Sequence, residues 1–264
     1  LTRMSRDEDL LDLAISLAHT AGDMALAGRK QGLSNVDTKS TATDMVTEFD
    51  KASEVLIADG IRRARPSDGI VGEEGARQES VSGITWHIDP IDGTTNFFFD
   101  LPTWAVSIAA VDDNGSLVGV VYIPALGETF TAIRGRGAFL NDQPIFVRKN
   151  PLLSDALVCT GFSYSAQKRV TQAQRIPIII EKVRDIRRFG AAAIDLCFVA
   201  CGRFDAYFEE NLLSWDLAAG QLIATEAGAI VTDFSGNTVH PAEVLACQPE
   251  IHRELSALIL WASA

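Results

Sequence analysis

The segment His87-Ile88-Asp89-Pro90-Ile91-Asp92-Gly93-Thr94-Thr95-Asn96-Phe97 restricts this chain more than any other stretch. An apolar, strand-like run ends there in two carboxylates three residues apart, with Pro between them and Gly-Thr after. Asp-Pro and Asp-Gly are ordinary turn formers, and either alone signals only a turn. Together, Asp-Pro-x-Asp-Gly-Thr fixes five residue types, a coincidence expected on the order of once in 10⁴ chains of this length at average usage. Hard-cation coordination is the chemistry that needs such a pattern. Mg²⁺ demands near-octahedral oxygen ligands and keeps several waters, so Asp89, Asp92 and the Ile91 carbonyl between them suit it. Gly93 and Thr94 add backbone N–H groups and a hydroxyl that can hold a phosphate if a helix starts there.

The rest of the composition agrees with that reading. At 264 residues, 47% hydrophobic and 22% charged, the chain is an ordinary folded protein with room for one large domain or two packed lobes. Its formal net charge is −12, and the densest basic clusters, Arg62/Arg63/Arg65 and Arg184/Arg187/Arg188, fall in helical or strand-like patterns. Nucleic acid and anionic membranes are therefore not expected as the main partners, whereas a carboxylate excess suits divalent cations. The apolar run Leu117–Leu126 is too short to span a bilayer. Arg3 and Arg6 run directly into Asp7, Glu8 and Asp9 with no apolar leader, so the expected setting is cytoplasmic. Cys159, Cys197, Cys201 and Cys247 have neither zinc spacing nor a matching His pair, and read as buried reduced thiols.

Along the chain, Ser5 and Glu8 form a capping-box pattern. Leu10, Leu13, Ala14, Leu17, Ala18, Ala21 and Ala25 then recur at helical spacing, with Gly32 as the stop. A second helix is expected from Thr47 to Arg65, halted by Pro66, with Phe49, Ala52, Leu56 and Ile57 inward. Strands follow at Ile70-Val71, Thr85–Ile88, Ala105–Val111 and Leu117–Ile123, the last two joined by the hairpin signal Asp112-Asp113-Asn114-Gly115. Thr129–Ile133 and the Gly-rich run to Asn141 continue the sheet. Beyond about residue 150, strands Leu157–Thr160, Ala206–Phe208 and Ala229–Thr232 alternate with helices Gln167–Val183, Ala191–Ala200 and Leu217–Ala227. The expected fold is a layered α/β (α+β) architecture: an N-terminal lobe, 1–150, and a C-terminal lobe, 151–264, form one structural unit with a cleft between them.

The Asp89–Phe97 segment resembles the inositol monophosphatase family, part of the Mg²⁺-dependent, Li⁺-inhibited sugar phosphatases, and the resemblance spans nearly the whole chain. Gly72-Glu73-Glu74 is similar to that family's Gly-Glu-Glu motif and Trp215-Asp216-Leu217-Ala218-Ala219-Gly220 to its C-terminal Trp-Asp motif. Lys39 and Asp44-Met45-Val46-Thr47-Glu48-Phe49-Asp50 match its upstream Lys and Asp-x-Val-Thr-x-x-Asp. The resemblance implies two or three Mg²⁺ ions: the first on Glu73, Asp89 and the Ile91 carbonyl, the second on Asp89, Asp92 and Asp216, and a weaker third involving Glu73. It implies that Thr94, oriented by Asp50, helps activate a water, with Glu73 also among the catalytic residues. Gly93, Thr94, Asp92, Asp216, Gly190, Ala192 and Glu209 become the substrate contacts. It further implies a small phosphorylated polyol as substrate and a homodimer.

Bland readings stand beside these: Asp216 as the N-cap of the helix from Leu217, Asp44 and Asp50 as helix-start charges, Lys39 as a surface lysine, Gly190–Ala193 as close helix packing, and the pairs Glu73/Glu74 and Glu209/Glu210 as solvated ends. The sequence departs from the family pattern at Phe99, often His; at Asn211, often Gly, which requires a left-handed backbone; and at Ala191, often Ser. None of these is a proposed metal ligand, so they bear on the substrate. Inositol 1-phosphate is the expected ester, with histidinol phosphate, fructose 1,6-bisphosphate or a 3′-phosphonucleotide as alternatives. A regulatory protein-binding role is the reading from another class, because some bacterial relatives act in transcription complexes.

Overall fold

The computed structural model describes residues 3–33, 36–39, 45–149 and 151–263; Asp44 lies outside them. In chain order the elements are α1 (Arg3–Arg29), β1 (Val36–Thr38), β2 (Met45–Thr47), α2 (Glu48–Ala64), β3 (Gly69–Gly72), β4 (Arg77–Gln78), β5 (Thr85–Asp92), α3 (Thr94–Phe98), β6 (Ala105–Asp112) and β7 (Gly115–Ile123). There follow β8 (Glu128–Ile133), β9 (Ala138–Leu140), β10 (Gln143–Ile145), β11 (Leu157–Thr160), α4 (Ala166–Ala173), α5 (Ile176–Ile180), β12 (Asp185–Arg187) and α6 (Ala192–Ala200). The chain closes with β13 (Ala206–Glu210), α7 (Ser214–Glu226), β14 (Ile230–Thr232), β15 (Glu243–Cys247) and α8 (Pro249–Ala262).

Alternating apolar residues build the large sheet, an eight-stranded array ordered β10-β9-β8-β7-β6-β5-β3-β4. Its strands pair antiparallel except β3 with β5, which run parallel. The second sheet has five strands ordered β12-β11-β13-β15-β14. On one face of the large sheet, Leu10, Ala14, Leu17, Ile57 and Ile61 of α1 and α2 pack on Trp86, Ile88, Ile108 and Val120. Between the sheets lie α6 and α7, whose Leu196, Cys197, Leu217 and Ile223 share a core with Val121 and Phe130 on one side and Tyr207 and Val244 on the other. The outer face of the small sheet is covered by α8 through Ile251, Leu255 and Ile259. Small residues set the spacing: a Cβ at Gly119 would stand 2.9 Å from the Ala219 carbonyl, so α7 nearly touches β7. This is the mixed, layered α/β fold expected.

Three expectations need correction. α1 begins at Arg3, so Ser5 lies within the helix instead of capping it. The buried face of α2 is Asp50, Ser53, Glu54, Ile57, Ala58, Gly60 and Ile61, while Ala52 is exposed and Phe49 and Leu56 are half-buried. Polar groups win that face because the Glu54 carboxylate accepts the N–H groups of Glu74 at 2.7 Å and Ala76 at 2.6 Å. The helix expected over Gln167–Val183 is split into α4 and α5, with Pro177 in the first turn of α5, where it needs no N–H partner. Sequence reading also missed β12, β15 and α8.

Asp205 ties the small sheet together away from the cleft. It is 1% exposed, and its carboxylate accepts the Leu157 N–H at 2.8 Å and Gln248 Nε2 at 2.8 Å. Its ion pair with the half-exposed Arg148, at 2.9 Å, adds little. Asp205→Ala strands the buried donors, and a loss of about 2–3 kcal/mol is expected as a lower urea midpoint at unchanged slope. A change under about 0.5 kcal/mol, typical of a surface substitution, would refute this role.

Candidate active site

Residues three apart on a regular strand face opposite sides. Asp89 and Asp92 nevertheless line one cavity, because the pairing of β5 with β6 shifts register between them and the bulge re-aims the chain. β3 runs parallel to β5 and ends at Gly72 opposite Ile88, so Glu73 leaves the sheet beside Asp89. The Glu73 N–H donates to the Ile88 carbonyl at 3.1 Å. From the other side, the first turn of α7 delivers Asp216. Glu73, Asp89, Ile91, Asp92 and Asp216 thus line a single cavity of about 460 Å³.

Four acids in one cleft repel one another. Burial, then the charges of Glu73, Asp92 and Asp216, push the Asp89 carboxyl well above the usual range. Burial and Asp216 do the same to Asp92, opposed by the Ala193 N–H. Burial lifts Asp216 to about 6 against the Leu213 N–H. Glu73 is raised by burial in spite of Lys39.

Among the described residues, no three His, Cys, Asp or Glu side chains close around one point as a ready metal cage. Each acid has a protein donor instead: Asp89 the Ile91 N–H at 3.0 Å, Asp92 the N–H groups of Ala192 at 3.2 Å and Ala193 at 2.7 Å, Asp216 the Leu213 N–H at 2.7 Å, and Glu73 the Lys39 ammonium at 2.8 Å. The donor set still fits a hard dication, since it is all carboxylate and carbonyl oxygen, and a cation is what its mutual repulsion lacks. Lys39 also pairs with Glu74, and the two glutamates outweigh its burial and hold its charge. Gly72-Glu73-Glu74 is therefore an anchored turn and not a solvated loop. Asp216 is not the N-cap expected of a helix from Leu217: α7 starts at Ser214 with Leu213 as its N-cap, and Asp216, in the first turn, accepts the Leu213 N–H and faces the cavity.

At the cavity floor, Thr94 Oγ1 lies 3.1 Å from Asp50 Oδ1 and 3.1 Å from the Ile91 carbonyl oxygen. Asp50 is fixed by a capping box, accepting the N–H and hydroxyl of Thr47 at 2.8 and 2.6 Å. Burial raises it to about 6, with Thr47 opposing. Gly93, at φ +89°, reverses the chain so that α3 opens at Thr94.

Gly190 and Ala192 line the cavity beside Asp92 and Gly93, and Glu209 lines it too. Glu209 accepts the Tyr207 hydroxyl at 2.6 Å, and burial raises its carboxyl. Glu210, also in the lining, is held in a bidentate pair with Arg175 at 2.6 and 3.0 Å. Asn211 has the left-handed backbone the sequence required, at φ +65°. Phe99 is exposed and is not among the cavity-lining residues. Sequence reasoning missed Glu54, Tyr207, Arg188 and the rim Phe162–Ser165. Gly161 was an available signal for the close packing around Glu209 and Tyr207, since a Cβ there would collide with the Glu209 carboxylate.

Comparison with known proteins agrees with this arrangement. The model of the inositol monophosphatase family matches residues 6–263. Nus factor SuhB of Pasteurella multocida is 40% identical over 250 residues, covering 93% of this chain and 94% of that protein. Inositol-1-monophosphatase of Mycobacterium leprae is 44% identical over 205 residues, covering 74% and 70%. The solved IMPase of Thermotoga maritima superposes with a TM-score of 0.89 at 35% identity, over 96% of this chain and 98% of that one. In sequence and fold alike, this chain belongs to the inositol monophosphatase family.

Proposed function

We propose that this protein hydrolyses the phosphate monoester of a small polyol, inositol 1-phosphate first among them, using Mg²⁺. The observation that carries the reading is the convergence of Glu73, Asp89, Asp92 and Asp216 on one cavity also lined by Thr94, whose hydroxyl donates to the buried Asp50 behind it. Glu73, Asp89 and the Ile91 carbonyl would hold one Mg²⁺, and Asp89, Asp92 and Asp216 a second, with Glu73 helping to hold a third. When bound, Mg²⁺ supplies the positive charge that offsets the phosphate and the departing alkoxide and acidifies a water.

The protein's own groups do the rest. Thr94 takes a proton from the attacking water as its hydroxyl proton passes to Asp50, which is ionised above about pH 6. Gly93 and Thr94 hold the phosphate at the start of α3, Gly190 and Ala192 shape the wall, and Glu209 accepts hydrogen bonds from the polyol. The thiols of Cys159, Cys197 and Cys247 are buried and pushed up by that burial, which argues against a covalent phosphoenzyme on sulfur. Inhibition by Li⁺, a homodimeric state and a cytoplasmic setting belong to the same proposal.

A second reading, a regulatory protein-binding role, draws on the name Nus factor carried by the SuhB relative. Phosphate release from inositol 1-phosphate, histidinol phosphate, fructose 1,6-bisphosphate and a 3′-phosphonucleotide, with and without Mg²⁺, separates these readings. Release should require Mg²⁺ and be fastest from inositol 1-phosphate. A preference for histidinol phosphate would overturn the polyol assignment, and no release from any ester would leave the regulatory reading.

A further inference from the structure

Three cations line the cavity: Lys39, Lys168 and Arg188. Two are engaged, Lys39 by Glu73 and Glu74 and Lys168 by the Asn211 side chain at 2.9 Å. Arg188 makes no hydrogen bond or ion pair with another described residue. Its guanidinium lies over Gly190, where a Cβ would collide with Nη1, and Gly190 adopts φ +82°. The missing side chain at Gly190 is thus what lets Arg188 fold back along the cavity wall.

Glu209 lines the same cavity. Its Oε2 takes the Tyr207 hydroxyl, and the Gly161 backbone closes that side, while Oε1 has no hydrogen-bond partner among the described residues. The positive charge of Arg188 reaches Glu209 and the fully buried Asp195, yet it pairs directly with neither. A donor without an acceptor and a carboxylate oxygen without a donor therefore face one space. A hydroxyl group, being donor and acceptor at once, satisfies both. A phosphate or carboxylate satisfies only the guanidinium and would be repelled by Glu209.

We propose that Arg188 determines specificity in this site: it donates to the same substrate hydroxyl that donates to Glu209, so the pair grips one polyol hydroxyl from both sides. The inference rests on the polyol phosphatase reading above and adds to it a residue no sequence motif marked. It makes the site selective for a hydroxyl at that place over hydrogen, amine or a second phosphate.

The test compares kcat/KM for inositol 1-phosphate with that for an aryl phosphate, which lacks such hydroxyls, in wild type, Arg188→Met, Glu209→Gln and the double variant. Each single change should lower the ratio of the two about 10- to 100-fold, the effect of one hydrogen bond to a charged group. The double variant should lose less than the product of the singles, because both residues hold one group. An unchanged ratio in Arg188→Met overturns the proposal. So does a multiplicative double variant, which would mean two separate hydroxyls, or a loss confined to fructose 1,6-bisphosphate, which would make Arg188 a second anion site. Arg188 is exposed, and equal melting temperatures would show the fold intact. If wild type releases no phosphate from either ester with Mg²⁺, the underlying phosphatase reading fails, and this inference with it.

Discussion

Asp89→Asn should lower kcat by about 10³-fold or more while raising the melting temperature of the metal-free protein. The two effects have one cause. Asp89 is 2% exposed and faces Glu73, Asp92 and Asp216. Its carboxyl is held above its unfolded value, so its contribution to stability is complete below that value and is lost as pH rises through the folded one. At neutral pH, therefore, the residue opposes folding unless a cation is present. Asn keeps the shape and can still accept the Ile91 N–H at 3.0 Å, but removes the charge. A gain of about 1 kcal/mol corresponds to roughly 2–4 °C for a protein of this size, and it should vanish in acid. Near-normal turnover in this variant would remove Asp89 from the mechanism; a lower melting temperature at neutral pH would mean that the acids do not strain the fold.

Thr94→Val should cost about 10²- to 10⁴-fold in kcat with KM little changed, the range expected when a positioned proton-transfer group is lost. Valine matches the shape of threonine but leaves Asp50 Oδ1 and the Ile91 carbonyl without the hydroxyl each now meets at 3.1 Å. Asp50 keeps both Thr47 contacts, so α2 remains capped and the fold should survive. Thr94→Ser, which restores the hydroxyl, should recover most of the rate. If Val and Ser behave alike, Thr94 serves packing and not proton transfer.

The sheet from Ala105 to Asn141 was legible in the sequence because each strand there pairs with the next across a short turn, as at Asp112–Gly115, where two residues separate the paired ends. Local pattern suffices there. It failed on α2, where the inward face was read as the apolar one. Asp50 and Glu54 are turned inward by partners far along the chain, Thr94 and the Glu74–Ala76 turn, which no window on the helix reveals. The strand β15 and the helix α8 went unseen although Val244, Leu245, Ile251 and Leu255 are all buried.

The site shows the same division. Asp89, Asp92, Gly93 and Thr94 were visible because the bulge, the reversal and the helix start are contiguous. Ala192 was named only as a substrate contact; the hold of its N–H and that of Ala193 on Asp92, and the placement of Arg188, which depends on an absent side chain at Gly190, come from tertiary structure. Backbone donors are legible where they sit in the motif itself, as at Gly93 and Thr94, and not where another part of the chain brings them, as at Ala192 and Ala193.

The proposed hydrolysis stands or falls with a divalent-cation site on Glu73, Asp89, Asp92 and Asp216. Thermal unfolding followed across a Mg²⁺ titration tests it most directly, because a ligand bound only by the folded state stabilises it by about 2.7 kcal/mol at a hundredfold excess over its dissociation constant. The melting temperature should climb steadily with Mg²⁺ in wild type, more steeply at pH 8 than at pH 5 because the acids must be ionised to bind, with little or no response in Asp89→Asn. A wild-type melting temperature that ignores millimolar Mg²⁺, Mn²⁺ and Ca²⁺ alike would contradict it.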